Sequence, residues 1–142
     1  MLKWRIVILV AIAFVGAACS DTTETTTTTG ASSTDDIVFG QGEMPDSVPD
    51  SFPLPQGSAV GSTMVIKDGL TEVVIRVNAD VGITAEYFAQ GLEQGGFTID
   101  LSEQTDDGWT IEFNYEGTKG TLDISAPQGG GISQAVLRYN VP

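Results

Sequence analysis

From Ser58 onward the apolar residues of this chain return at every second position, in run after run bounded by turn residues. Side chains alternate between the two faces of a strand, so a period of two predicts a sheet with one buried face. Val60, Met64 and Ile66 fall on one face of a strand ending at Lys67. Asp68-Gly69 then reads as a type I′ hairpin turn, which needs positive φ at both central positions. On the return strand, residues 71–78, Val73, Ile75 and Val77 oppose Glu72, Val74, Arg76 and Asn78. A second set of runs follows: Phe97, Ile99 and Leu101; Trp109, Ile111, Phe113 and Tyr115; Leu122 and Ile124; Ala135, Leu137, Tyr139 and Val141. With turns at 105–108 and 116–120 and a glycine-rich loop at 126–131, these predict a four-strand meander. Trp109, Tyr115 and Tyr139 alternate with core-type residues and read as core, ahead of a sugar- or partner-binding platform.

One segment breaks the period. Ala85, Phe88, Ala89 and Leu92 are spaced i, i+3, i+4, i+7, which predicts a helix over 85–94 with a single apolar stripe. Thr84 is the expected N-cap, with Glu86 in the first turn at the positive end of the helix dipole. Gly91 suits a close approach to the sheet. Gly95-Gly96 supplies the left-handed residue that ends the helix, with Phe97 folding back on the last turn. The apolar sheet face needs a cover, and this helix is the one available. The predicted fold is α+β, a two-layer sandwich of one helix on a mainly antiparallel sheet, in the order ββαββββ.

The N-terminal part has a different character. Lys3 and Arg5 precede ten unbroken apolar residues, Ile6 to Val15, and Gly16-Ala17-Ala18 leads to Cys19. The apolar stretch has the length of a signal-peptide core and falls short of the roughly 20 residues that span a bilayer. Small residues directly before the only cysteine of the chain resemble the lipobox of bacterial lipoprotein precursors. The family more often has a large aliphatic residue where this chain has Gly16. The resemblance covers residues 1–19 and implies cleavage between Ala18 and Cys19, with acylation of the Cys19 thiol. It also implies a membrane anchor on the extracytoplasmic side of the cell membrane. Two or three acyl chains hold a protein stably where one does not.

Residues 1–18 are therefore expected as signal peptide, 19–46 as lipidated cysteine and disordered tether, and 47–142 as one globular domain. The threonine-rich tract, 22–29, and the Gly-Ala-Ser-Ser-Thr run behind it cannot bury enough apolar surface to offset the entropy of ordering. As a coil, 20–46 spans about 30 Å. It offers threonines for O-linked sugars, and an unmodified spacer is the simpler alternative. Ile37-Val38-Phe39 interrupts it and reads either as a short strand docked on the domain or as exposed apolar residues. The phrase from Pro49 to Gly57 alternates prolines with apolar residues and is expected to run extended, with Phe52 and Leu54 at a core edge. The layout of proline-rich approach, hairpin, helix and meander looks like small domains of other bacterial lipoproteins of unknown function; that likeness supplies no site.

Composition narrows the chemistry. Without Lys3 and Arg5, four cations (Lys67, Arg76, Lys119 and Arg138) stand against 19 acids, a net charge of −15. That balance argues against nucleic acid and against adsorption to anionic lipid. There is no histidine, which removes the usual general base near neutral pH and every His-containing triad or zinc site. The single cysteine is assigned to the anchor, so no disulfide, thiolate nucleophile or Zn-thiolate site is expected. Gly129-Gly130-Gly131 lacks the lysine and the strand-to-helix setting of a phosphate loop. Asp106-Asp107 and Asp35-Asp36 lack EF-hand spacing and read as solvated turns rather than calcium ligands.

No catalytic residue, cofactor or metal is thus expected, and the sequence reading is of a non-catalytic, lipid-anchored cell-envelope protein. Its domain would bind or support an envelope protein partner, with Asp100, Glu112 and Asp123 on the wet face of the sheet. Two alternatives stand beside this: a carrier of an apolar ligand held between helix and sheet, and a small carboxylate-based hydrolase.

Overall fold

All the strands of the described chain join one antiparallel sheet. The computed structural model describes residues 32–34, 37–67, 69–127 and 131–140. The elements are β1 (Ser32–Thr34), β2 (Ile37–Gln41), β3 (Ala59–Ile66), β4 (Leu70–Val77), α1 (Val81–Gln94), β5 (Thr98–Thr105), β6 (Gly108–Tyr115), β7 (Thr118–Ser125) and β8 (Ser133–Asn140). The strand order is β1-β2-β3-β4-β8-β7-β6-β5. β8 inserts between the β3–β4 hairpin and the β5–β7 meander, paired along its length with β4 on one side and β7 on the other. One helix packs on one face of this sheet, an α+β two-layer sandwich. The expected ββαββββ run is present from β3 onward, with β1 and β2 added in front of it.

Those two strands carry the sheet ahead of the expected boundary at 46/47. β2 pairs with β3 from Ile37↔Ile66 to Gln41↔Ser62, so Ile37-Val38-Phe39 is a docked strand. β-branched and aromatic side chains favour this geometry. Gly40 passes so close to β3 that a Cβ there would lie 2.7 Å from the Thr63 hydroxyl. Residues 1–31, with the signal segment, Ala18, Cys19 and the threonine tract, lie outside the described residues.

The helix stripe is as read. Ala85, Phe88 and Leu92 are buried and Ala89 packs beside them. The helix starts one turn earlier than expected, at Val81. Asp80 is the N-cap and its carboxylate accepts from Ile83 N–H at 2.9 Å. Thr84 is instead fully buried, with its hydroxyl 2.6 Å from that of Ser133. At the far end Phe97 N–H donates to Leu92 O and Gly96 N–H to Glu93 O, with Gly96 at φ 85°. That is the Schellman arrangement, and Phe97 is buried behind it. Gly91 makes its close approach to Pro53, where a Cβ would lie 2.6 Å from the proline ring, and not to the sheet.

The approach segment is not extended. Val48 N–H donates to Pro45 O, Phe52 N–H to Pro49 O and Ser58 N–H to Pro55 O, all within 3.0 Å. The first two turns share one motif, Pro-Asp-Ser followed by an apolar residue, at 45–48 and 49–52. Each fixes φ with its proline and delivers its fourth residue, Val48 or Phe52, into the core. Phe52 lies within 6.3 Å, ring centre to ring centre, of Phe88, Phe97 and Phe113. Leu54 stays exposed.

Two bulges change which side chains face the helix. β3 pairs Val60↔Ile75 but Thr63↔Val73, so one extra residue lies between them. A one-residue step exchanges the faces of all that follows. Thr63 and Val65 therefore join Val60 on the helix side, and Met64 and Ile66 turn to the outer face, against the expected set of Val60, Met64 and Ile66. β5 pairs Ile99↔Phe113 and then Leu101↔Glu112, which sends Leu101 outward, away from the expected company of Phe97 and Ile99. The β3–β4 turn also differs. Gly69 N–H donates to Ile66 O at 3.1 Å, so Gly69 closes the turn rather than standing at its centre, and it is not among the residues of positive φ.

Candidate functional site

The helix lies over β5, β6, β7 and β8, and among the described residues no element covers the other sheet face. β4, β6, β7 and β8 each alternate, and the register puts Glu72, Arg138, Thr121 and Glu112 in one row across that outer face. Val74, Val136, Asp123 and Thr110 form the next row. Glu112 and Asp123 are thus on the face expected for them. Asp100 is exposed, at the β5 bulge.

The electrostatics of this face are uneven. Arg138 bridges two carboxylates, with Nε 3.0 Å from Glu72 and a terminal nitrogen 2.5 Å from Asp123. Asp123 also accepts from the Thr110 hydroxyl at 3.0 Å. Arg138 and both its partners keep substantial solvent contact, so these pairs act more as charge neutralisation than as stabilising contacts. Toward the edge, β5 and β6 carry acids on this face and no lysine or arginine of their own, and Lys119 on β7 is the nearest cation in the register. Toward β2 it is apolar, where Phe39 and Met64 are opposite neighbours, as are Ile37 and Ile66.

Two clefts among the described residues open elsewhere. The larger, about 630 Å³, has one wall from the tandem Pro-Asp-Ser turns (Asp46, Ser47, Asp50, Ser51) and another from the β6–β7 turn at Glu116 and Thr118. Tyr115 and Tyr139 complete it. Burial raises the Tyr139 hydroxyl above its usual 10.0; a hydrogen bond with Thr118 opposes this, and Tyr115 and Glu116 add to it. Sequence reasoning missed this cleft, although the repeated Pro-Asp-Ser motif was there to be seen. The smaller cleft lies by the exposed strand β2, between Val38, Val65 and Met44.

The volume between helix and sheet, where an apolar ligand would be held, is occupied by Phe52, Phe88, Phe97 and Phe113. Trp109, Tyr115 and Tyr139 all lie on the helix side. Tyr139 is buried, and Trp109 and Tyr115 are packed against the core. Among the described residues no three of Asp, Glu, Cys and His converge as a metal-holding group, and Asp106 and Asp107 are exposed. No helix among them is long and apolar enough to cross a membrane.

The fold defines a sheet-and-helix module with one open face of mixed charge, most acidic at its β5 edge. Comparison with known proteins finds no matching family model, no matching curated protein and no matching solved structure.

Proposed function

We propose that the chain is a lipid-anchored protein of the cell envelope, held by acyl chains on Cys19, whose domain binds a protein partner without catalysing a reaction. The observation that carries this reading is the uncovered sheet face. Glu72, Glu112 and Asp123 stand on it with Arg76, Lys119 and Arg138, and Asp100 and Glu103 tip the balance to acid at the β5 edge. Such a surface favours a partner with a basic patch, met faster at low ionic strength. The absence of histidine and the use of the one cysteine at the anchor support a binding role over an enzymatic one.

Crosslinking on intact cells, read by mass spectrometry, tests the partner. The wild-type chain is expected to capture the same protein reproducibly, and Glu112→Lys with Asp123→Lys to reduce that capture. Failure to capture any protein reproducibly counts against the reading. The anchor is tested separately by Cys19→Ser, which should block both lipid labelling and processing. A mature wild-type chain that stays in the aqueous phase with a free thiol would remove the anchor from the account.

A further inference from the structure

Building on that reading of a protein partner, we infer that the partner attaches at strand β5, by adding an extended basic segment to the sheet as a further strand. β5 ends the strand order, so among the described residues it has a neighbour on one side only. Its outer backbone N–H and C=O groups are those an incoming strand would pair with. Seven of its eight residues are exposed. Natural edges this open are blunted by lysine, proline or a bulge. β5 has no lysine or proline, and its bulge lies in the first half, so 101–105 runs in unbroken register with β6.

Charge selects the occupant. Between Gly95 and Thr118 there are six acids and no lysine or arginine. The salt bridges of the described residues, both made by Arg138, involve none of the six. Pairing with a second copy would set these carboxylates against one another, which disfavours a dimer through this edge. A basic strand meets the opposite situation.

The register specifies the pattern further. Leu101 and Glu103 stand on the outer face of β5, backed on β6 by Glu112 and Thr110. An added strand therefore gains by placing an aliphatic residue beside Leu101 and a lysine or arginine two positions away beside Glu103. Its alternate residues meet Ser102 and Gln104 on the other face and are polar. The partner segment is β-prone and basic, with cation and aliphatic residues alternating at every second position.

The test uses the whole mature chain and three short peptides. One carries this alternation, one is its scramble, and one has the same aliphatic positions with glutamate for lysine. The alternating peptide is expected to bind and to protect the amides of 101–105 from hydrogen exchange. The scramble should bind roughly tenfold more weakly, and the acidic peptide not at all. Glu103→Lys, an exposed change that should leave the melting temperature in place, is expected to slow association about tenfold. Equal binding of the scramble, protection confined to other strands, or no binding by the alternating peptide each overturns the inference. Crosslinks from intact cells that map away from β5 overturn it while leaving the partner reading in place. Absence of any captured partner overturns both.

Discussion

The hydroxyls of Thr84 and Ser133 meet at 2.6 Å, 49 residues apart in the chain and both fully buried. The contact joins the first turn of α1 to the start of β8. Each hydroxyl satisfies the other away from bulk solvent, so the pair matters more when broken than when made. Thr84→Val or Ser133→Ala alone leaves one buried hydroxyl unpaired and is expected to cost about 1–3 kcal/mol. The double variant should cost less than the sum of the two, because it strands neither group. Denaturant melts of the four proteins check this, and strict additivity would show that the contact is energetically idle.

Phe88 and Leu92 carry the seam between helix and sheet. Both are fully buried. Phe88→Ala is expected to cost about 3–5 kcal/mol and Leu92→Ala about 2–5 kcal/mol, a large part of a small domain's stability. Variants that melted like wild type would mean that the helix does not cover the sheet.

Gly120 lies opposite Phe113 in the β6–β7 register, and a Cβ at Gly120 would lie 2.3 Å from the Phe113 ring. The ring cannot yield easily, since Phe52, Phe97 and Tyr139 surround it within 6.3 Å. Gly120→Ala is therefore expected to destabilise by about 1–3 kcal/mol through overpacking. Gly120→Ala combined with Phe113→Leu should cost less than the two changes added, because the smaller side chain makes room. Full additivity in the melts would count against this packing account.

The contribution of β2 to the sheet can be measured by truncation. A chain lacking 20–36 keeps β2, whereas one lacking 20–46 loses its pairing with β3 and the packing of Met44 on the core. The longer deletion is expected to lower the melting temperature further than the shorter, by several degrees for each kcal/mol lost. Equal melting temperatures would mean that β2 adds nothing to the stability of the sheet.

Tyr139 gives a pH signature. Burial raises its folded-state pKa above 10.0, so the folded protein holds the proton where the unfolded chain releases it. Above about pH 10 the unfolded state then binds fewer protons than the native one, and stability falls as pH rises through that window. Tyr139→Phe removes this contribution. The wild type should lose more stability between pH 9 and 11 than the variant, and parallel profiles would refute the assignment.

Much of this fold could be read from the residues, and the exceptions have local causes. β4, β6, β7 and β8 alternate without interruption, and Ala85, Phe88 and Leu92 mark the helix face, so those elements were evident. The helix start was not. Val81 sits four residues before Ala85 and packs on the core, but it is separated from the stripe by Gly82, a weak helix former, and by Ile83, which is exposed, so Asp80 was not marked as a cap. The bulges in β3 and β5 left no trace either. Ser62 and Asp100 are ordinary polar residues for a strand, and only the partner strand reveals that one position is spent without advancing the register. The acidic outer face was legible at Glu112 and Asp123 because it needs nothing beyond alternation. The cleft between the Pro-Asp-Ser turns and Glu116 was not, because it joins segments some 70 residues apart.

The place of β8 has a consequence for the order in which the sheet can close. β8 follows every other described strand in the chain, yet it sits in the middle of the sheet, joining β4 to β7. Before it arrives, the β1–β4 part and the β5–β7 part have no ladder between them, and each has an edge still to be filled. Pairing of β4 with β8 also closes a long stretch of chain, a slow step by its contact distance. A nascent or threading chain therefore has no complete sheet until Asn140 has emerged. Such a domain stays pliant until its closing strand joins the sheet.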